Sequence, residues 1–138
     1  MRRLPPLVVV AVLVFVAAWF LPVHKNGTTT GNPGWEAFTL ALDIHGKDSP
    51  LVGTKGLIER ISACTNFLML VAVLLVVTRP GQKPAAWLPL SFDLATFVNL
   101  WWLSDGHVSD LRIGYWMWLA SFALMAIALY LMRKEGKA

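Results

Sequence analysis

Four long stretches of apolar side chains, separated by polar connections, limit what this chain can fold into. The stretches cover residues 7–23, 57–78, 85–104 and 113–132. A helix needs about 20 apolar residues to cross the roughly 30 Å hydrocarbon layer of a bilayer, and each stretch is near that length. With 57% hydrophobic and 14% charged residues, the chain is more apolar than a typical soluble domain. We therefore predict an all-α membrane protein: a single domain of four transmembrane helices in an antiparallel bundle.

The connections between these stretches differ in length. Residues 79–84 contain prolines and a glycine, which break helices, so the second and third stretches should form an antiparallel hairpin. The outer loop, residues 24–56, begins with a polar stretch that has no hydrophobic period and predicts an irregular loop. Further along, Trp35, Phe38 and Leu42 recur at helical spacing. This spacing predicts a short amphipathic helix near Pro33–Ile44 with these three side chains on its buried side.

Basic residues near the helix ends predict the orientation of the chain. Seven lie on the side of the two termini: Arg2, Arg3, Arg79, Lys83, Arg133, Lys134 and Lys137. Five lie on the other side, together with most of the acidic residues. Since segments rich in Lys and Arg stay in the cytoplasm, we expect a multi-pass protein of the cell membrane with both termini cytoplasmic.

Polar residues inside the predicted spans are candidate functional positions. Asn66 lies in the second span, and Asp93, Thr96 and Asn99 lie in the third. Because polar groups in lipid are costly, we expect all four to face the bundle interior. Counted from the outer helix ends, Asn66 and Asp93 reach similar depths, which predicts a hydrogen bond between them.

Aromatic residues cluster near the predicted helix ends. The outer boundary carries Trp19, Trp101, Trp102, Tyr115, Trp116 and Trp118, and the inner boundary carries Trp87 and Tyr130. Tryptophan and tyrosine are enriched at headgroup depth in membrane proteins. We therefore interpret them as an interfacial belt rather than as an aromatic ligand cage.

Cofactor sites find little support in the sequence. The three histidines, His24, His45 and His107, all fall on the outer side and form a candidate zinc or copper site. Their spacing matches no ligand motif, however, so we expect no cofactor. The lone cysteine, Cys64, excludes an internal disulfide and a thiolate metal cluster.

The expected function is that of a non-catalytic protein, because no catalytic set of residues is present. We expect an accessory subunit or interaction module of a membrane complex, whose partners are the lipid bilayer and either another membrane protein or a second copy of the chain. Nucleic acid is not expected, because the basic residues flank apolar stretches and form no stripe on a soluble face. The alternative is a small transporter or channel component with a polar path near Asp93 and Asn66.

Overall fold

The chain is mostly helical, as predicted. The computed structural model describes residues 5–25, 31–42, 54–79, 81–104 and 108–135. The longer helices are α1 (Pro6–Phe20), α3 (Thr54–Thr78), α4 (Trp87–Asn99) and α6 (Ile113–Glu135). The shorter elements are α2 (Gly34–Ala41), α5 (Trp101–Ser104) and a 3-10 turn at Val108–Asp110. Two short strands, β1 (Pro22–His24) and β2 (Asn32–Pro33), complete the described elements.

The helix bounds follow local sequence signals. Helix α1 begins at a proline, whose fixed φ suits the first helical position. Helix α3 ends just before the predicted turn, where Gly81 adopts a positive φ of 80°. The N–H of Leu100 donates to the carbonyls of Thr96 and Phe97, so α5 follows α4 after a single residue. Together α4 and α5 occupy most of the predicted span 85–104.

The four longer helices alternate in direction. Ser62, near the start of α3, hydrogen-bonds Asn99 at the end of α4, so these helices are antiparallel, as the hairpin prediction required. Tyr115 at the start of α6 also bonds Asn99, which makes α6 antiparallel to α4. Helix α1 ends where α6 begins, because Gly114 lies against the backbone of Leu21. We call the end of the molecule that holds the start of α1 and the end of α6 the terminal end, and the opposite end the loop end.

Helix α6 is the central helix, since it packs against both α1 and α4. The core contains Phe15 of α1, Met69 of α3, Phe92 of α4, and Phe122 and Met125 of α6. The ring of Phe122 lies 6.2 Å from Phe15 and 5.6 Å from Phe92 between centroids, so one aromatic side chain joins three helices.

A small antiparallel ladder at the loop end was not predicted. Strand β1 pairs with β2, and His24 of β1 also forms an isolated bridge with Leu111. The backbone N–H of Arg112 donates to the carbonyl of Val23 at 2.9 Å. Positions His24 and Asn32 of the expected irregular loop are therefore in strands, whereas residues 26–30 lie outside the described residues. The ladder ties the end of α1 to the start of α6.

Helix α2 forms where an amphipathic helix was predicted, but its inward face differs. Phe38 packs between Trp19 and Phe67, with ring centroids 5.2 and 6.1 Å away. Leu42, just after the helix, is half-buried, but Trp35 is 50% exposed, so its predicted burial is wrong. The contact face begins at Gly34, where a Cβ would lie 2.6 Å from the carbonyl oxygen of Ala18. Trp35 is rotated about 100° from that contact, so it lies beside the face that meets α1 and not on it.

Two of the described helical segments are long and apolar enough to cross a membrane. They are Leu57–Thr78 and Ile113–Glu135. Their most apolar windows are only 33% and 44% buried, so much of each segment presents side chains outward. Helix α1 is apolar but shorter, with 15 residues, and α4 has 13.

Candidate functional site

Asn99 is the centre of a buried hydrogen-bond network at the loop end. Its side-chain oxygen accepts from Ser62 Oγ at 2.7 Å, and its amide nitrogen donates to Thr65 Oγ1 at 3.2 Å. Its backbone carbonyl accepts from the hydroxyl of Tyr115 at 2.7 Å. Asn99 is fully buried. One residue of α4 thus joins α3 and α6 through polar contacts.

A second polar contact links α3 directly to α6. The indole N–H of Trp118 donates to the side-chain oxygen of Asn66 at 2.8 Å. The amide nitrogen of Asn66 donates to the carbonyl of Ala63 at 2.8 Å. Among the described residues, no buried side-chain nitrogen or oxygen lacks a hydrogen-bond partner. The network is therefore satisfied internally, as a stable buried polar network must be.

Asp93 lies apart from this network, contrary to the expectation that it would meet Asn66. It is exposed, and its Oδ2 accepts from the hydroxyl of Tyr130 at 2.6 Å. The reason is the position of the two residues around the axis of α4. Residues that are three apart on a helix differ by about 60° around its axis, so Asp93 and Asn99, which are six apart, differ by about 120°. Since Asn99 faces α3 and α6, Asp93 cannot face α3, although the predicted depths were similar.

Asp93 lines an open groove between α4 and α6, which we call the α4/α6 groove. Its volume is about 340 Å³. The lining residues on α4 are Asp93, Thr96, Phe97 and Leu100, and those on α6 are Ala123, Ala126, Ile127 and Tyr130. The hydroxyl of Thr96 donates to the carbonyl of Phe92 at 2.8 Å, so it is satisfied within its own helix. The groove is therefore mostly apolar, with one carboxylate near one end.

Two aromatic residues interpreted as parts of an interfacial belt belong to the interior instead. Tyr115 is buried and Trp118 is half-buried, and both contribute hydrogen bonds to the networks above. The signal for this role was present in the sequence. Tyr115, Trp118 and Phe122 follow an i, i+3, i+7 spacing, which places all three on one helix face.

The candidate metal site stays a prediction. His24 lies in β1, whereas His45 and His107 fall outside the described residues. In the described part of the chain, no three His, Cys, Asp or Glu side chains are grouped so that they could hold a metal ion.

The two polar regions differ in what they offer chemically. The Asn99 network binds helices to one another, and its donors and acceptors are used. The carboxylate of Asp93 accepts one hydrogen bond at a surface position, and a carboxylate has room for about four. Asp93 and the groove around it are therefore the better candidate for contact with another molecule. The chain matches no protein-family model, no curated protein sequence and no solved structure.

Proposed function

We propose that this chain is an integral membrane protein that crosses the bilayer four times and acts as a non-catalytic subunit of a membrane complex. The observation that carries the proposal is the contrast between the two polar regions. The polar groups between the helices satisfy one another, whereas the groove with Asp93 faces outward.

The helix surfaces support the membrane assignment. Large apolar side chains are exposed on all four longer helices, among them Leu13, Leu70, Phe97 and Leu131. Exposed apolar surface of this extent is typical of a membrane or a protein interface. Helices α4 and α5 with Leu100 between them cover 87–104, a length of about 27 Å, which is close to the hydrocarbon thickness. Helix α1 is about 22 Å long and needs the following apolar residues 21–23 to complete a crossing.

The charges support the proposed orientation. At the terminal end, Arg79 and Lys83 lie between α3 and α4, and Arg133 and Lys134 lie in the last turn of α6. Arg133 also donates to the carbonyl of Pro84 at 2.7 Å, which holds a guanidinium at this end. A basic end of short connections belongs on the cytoplasmic side, so both termini are cytoplasmic in this proposal.

The separation of Asp93 from Asn66 weighs against the transporter or channel alternative. A polar path near these two residues would require them to share a face, but Asn66 bonds Trp118 and Asp93 bonds Tyr130. Flux of ions or small solutes in vesicles containing the purified protein would restore the alternative, provided that Asp93→Asn abolished it.

The intact mass of the complex tests the proposal. The protein is extracted from its native membrane in a mild detergent, and the mass of the intact complex is measured by native mass spectrometry. We expect a mass that includes a second, different polypeptide. Release of the protein from the membrane by an alkaline carbonate wash would contradict the membrane assignment. Recovery of the protein as a monomer would contradict its assignment as a subunit of a complex.

A further inference from the structure

We infer that the α4/α6 groove binds a transmembrane helix of another protein and that this helix carries a lysine or arginine opposite Asp93. The inference rests on the proposed function and names the chemistry of the partner.

The shape of the groove fits a helix. On α4 its lining residues Asp93, Thr96, Phe97 and Leu100 follow an i, i+3, i+4, i+7 spacing. On α6 the lining residues Ala123, Ala126, Ile127 and Tyr130 follow the same spacing. Such rows form the two edges of a seam in which side chains of a third helix can insert. The seam extends over about two helical turns, or roughly 10 Å.

The floor and rim of the groove differ in a way that also suits a helix. Ala126 is buried at the floor and Ala123 is partly buried beside it, so a neighbouring backbone could come close. Phe97 and Ile127 stand at the rim and are 75% and 50% exposed. In the described part of the chain, no element covers these two side chains.

The charge of Asp93 identifies the kind of partner. Asp93 lies six residues, or about 9 Å along the helix axis, from Trp87 at the start of α4. With Trp87 at the membrane interface, as predicted, the carboxylate lies below the lipid headgroups. Within the described residues, Tyr130 provides its single hydrogen bond. Ionisable side chains at such a depth are costly unless they pair. A basic side chain on the docked helix would pair with the carboxylate, and its long stem would let it approach from the nearby interface.

A second copy of this chain fits the groove less well. Two copies related by a two-fold axis through the groove would bring the two Asp93 side chains together, and like charges repel. Of the chain's own basic residues at this end, Arg133 and Lys134 lie in the last turn of α6 beyond the groove, and Arg79 and Lys83 lie in the connection between α3 and α4. A different protein with a basic residue inside its span is the better complement.

Binding of synthetic helices to the full-length protein tests the inference. The protein is placed in phosphatidylcholine vesicles with Leu/Ala transmembrane peptides that carry either lysine or leucine at the depth of Asp93, and association is followed by energy transfer. We expect the lysine peptide to bind about tenfold more tightly, a ratio that corresponds to about 1.4 kcal/mol. In Asp93→Asn the ratio should fall to about one, because the amide keeps the shape and the acceptor for Tyr130 but removes the charge.

One further variant serves as a control. Leu70→Asn places an amide on the exposed face of α3 and should leave the ratio unchanged. Equal binding of the two peptides to the unchanged protein overturns the inference, and so does a lysine preference that persists in Asp93→Asn. Loss of the preference when phosphatidylethanolamine is added would assign the carboxylate to a lipid amine instead. A dimer that Asp93→Asn dissociates would assign the groove to a second copy.

The outcome is separable from that of the proposed function. If the native complex contains a second polypeptide but the peptides bind equally, the inference fails and the proposed function stands. If the native protein is a monomer, the proposed function fails whatever the peptides show.

Discussion

Replacement of Asn99 by alanine tests whether the buried network holds α3, α4 and α6 together. The change removes the bond from Ser62 at 2.7 Å and the longer bond to Thr65 at 3.2 Å, but leaves the backbone carbonyl that accepts from Tyr115. Hydrogen bonds between membrane helices average about 0.6 kcal/mol and reach about 1.7 kcal/mol. Two bonds, one of them long, should therefore stabilise the fold by about 1–2 kcal/mol.

Equilibrium unfolding in mixed micelles with increasing SDS measures this free energy. Ser62→Ala alone should cost about 0.6 kcal/mol, and the double variant should show a coupling of similar size, because the two side chains share one bond. Thr78→Ala is the matched control. Its hydroxyl donates to the carbonyl of Leu74 at 2.7 Å within α3 and is exposed, so its loss should change the unfolding free energy by less than about 0.5 kcal/mol.

The reasoning is refuted if Asn99→Ala is no more destabilising than Thr78→Ala. It is also refuted if the effects of Ser62→Ala and Asn99→Ala are simply additive. In either case packing of apolar side chains alone would hold the three helices, and the network would be a consequence of the fold rather than a contributor to it.

Three other changes have defined outcomes. Gly114→Ala should destabilise the fold by about 1–3 kcal/mol in the same SDS titration, because a Cβ there would lie 2.7 Å from the backbone carbonyl oxygens of Leu21 and Pro22. An unchanged midpoint would contradict the close approach of α6 to the segment that follows α1. Phe38→Ala should speed hydrogen exchange in α2 whereas Trp35→Ala should not, because the ring of Phe38 contacts Trp19 of α1 and Phe67 of α3 and Trp35 is 50% exposed. The reverse order would restore Trp35 as the residue that anchors α2. In a chain with Cys64→Ala, an impermeant thiol reagent should label Thr29→Cys and spare Gln82→Cys in intact cells, and the opposite pattern would invert the proposed topology.

The helices could be predicted from the sequence because their signals are local. Apolar length and helix-breaking residues located α3 and α6 to within about three residues, and the turn residues predicted the antiparallel pairing of α3 with α4. The ladder at the loop end could not be found in this way. His24 of strand β1 forms a bridge with Leu111, which lies 87 residues further along the chain. The local spacing of apolar residues does not indicate a contact between residues so far apart in the sequence.

Angular position accounts for the other differences. In a row of polar residues at i+3 spacing, each residue is displaced by about 60° around the helix axis from the one before. The prediction places Asp93 and Asn99 on one face, although they differ by about 120° around the axis. On α2 the contact begins at a glycine, which a search for large apolar residues passes over. Both errors concern which way a helix faces, which depends on its neighbours and not on its own composition.

The central position of α6 explains why its aromatic residues were misplaced. This helix contacts α1 and α4 along its length, and Trp118 reaches Asn66 of α3, so three neighbours occupy much of its circumference. Tyr115 and Trp118 lie near the start of α6, where an interfacial belt is expected. Because neighbouring helices also cover this part of α6, the two side chains pack against protein there. Tyr130, at the other end, is 41% exposed because it faces the α4/α6 groove, where no described element covers it. The uncovered sector of α6 therefore lines the same groove as Asp93 of α4, and the proposed partner helix at this groove would complete the packing around α6.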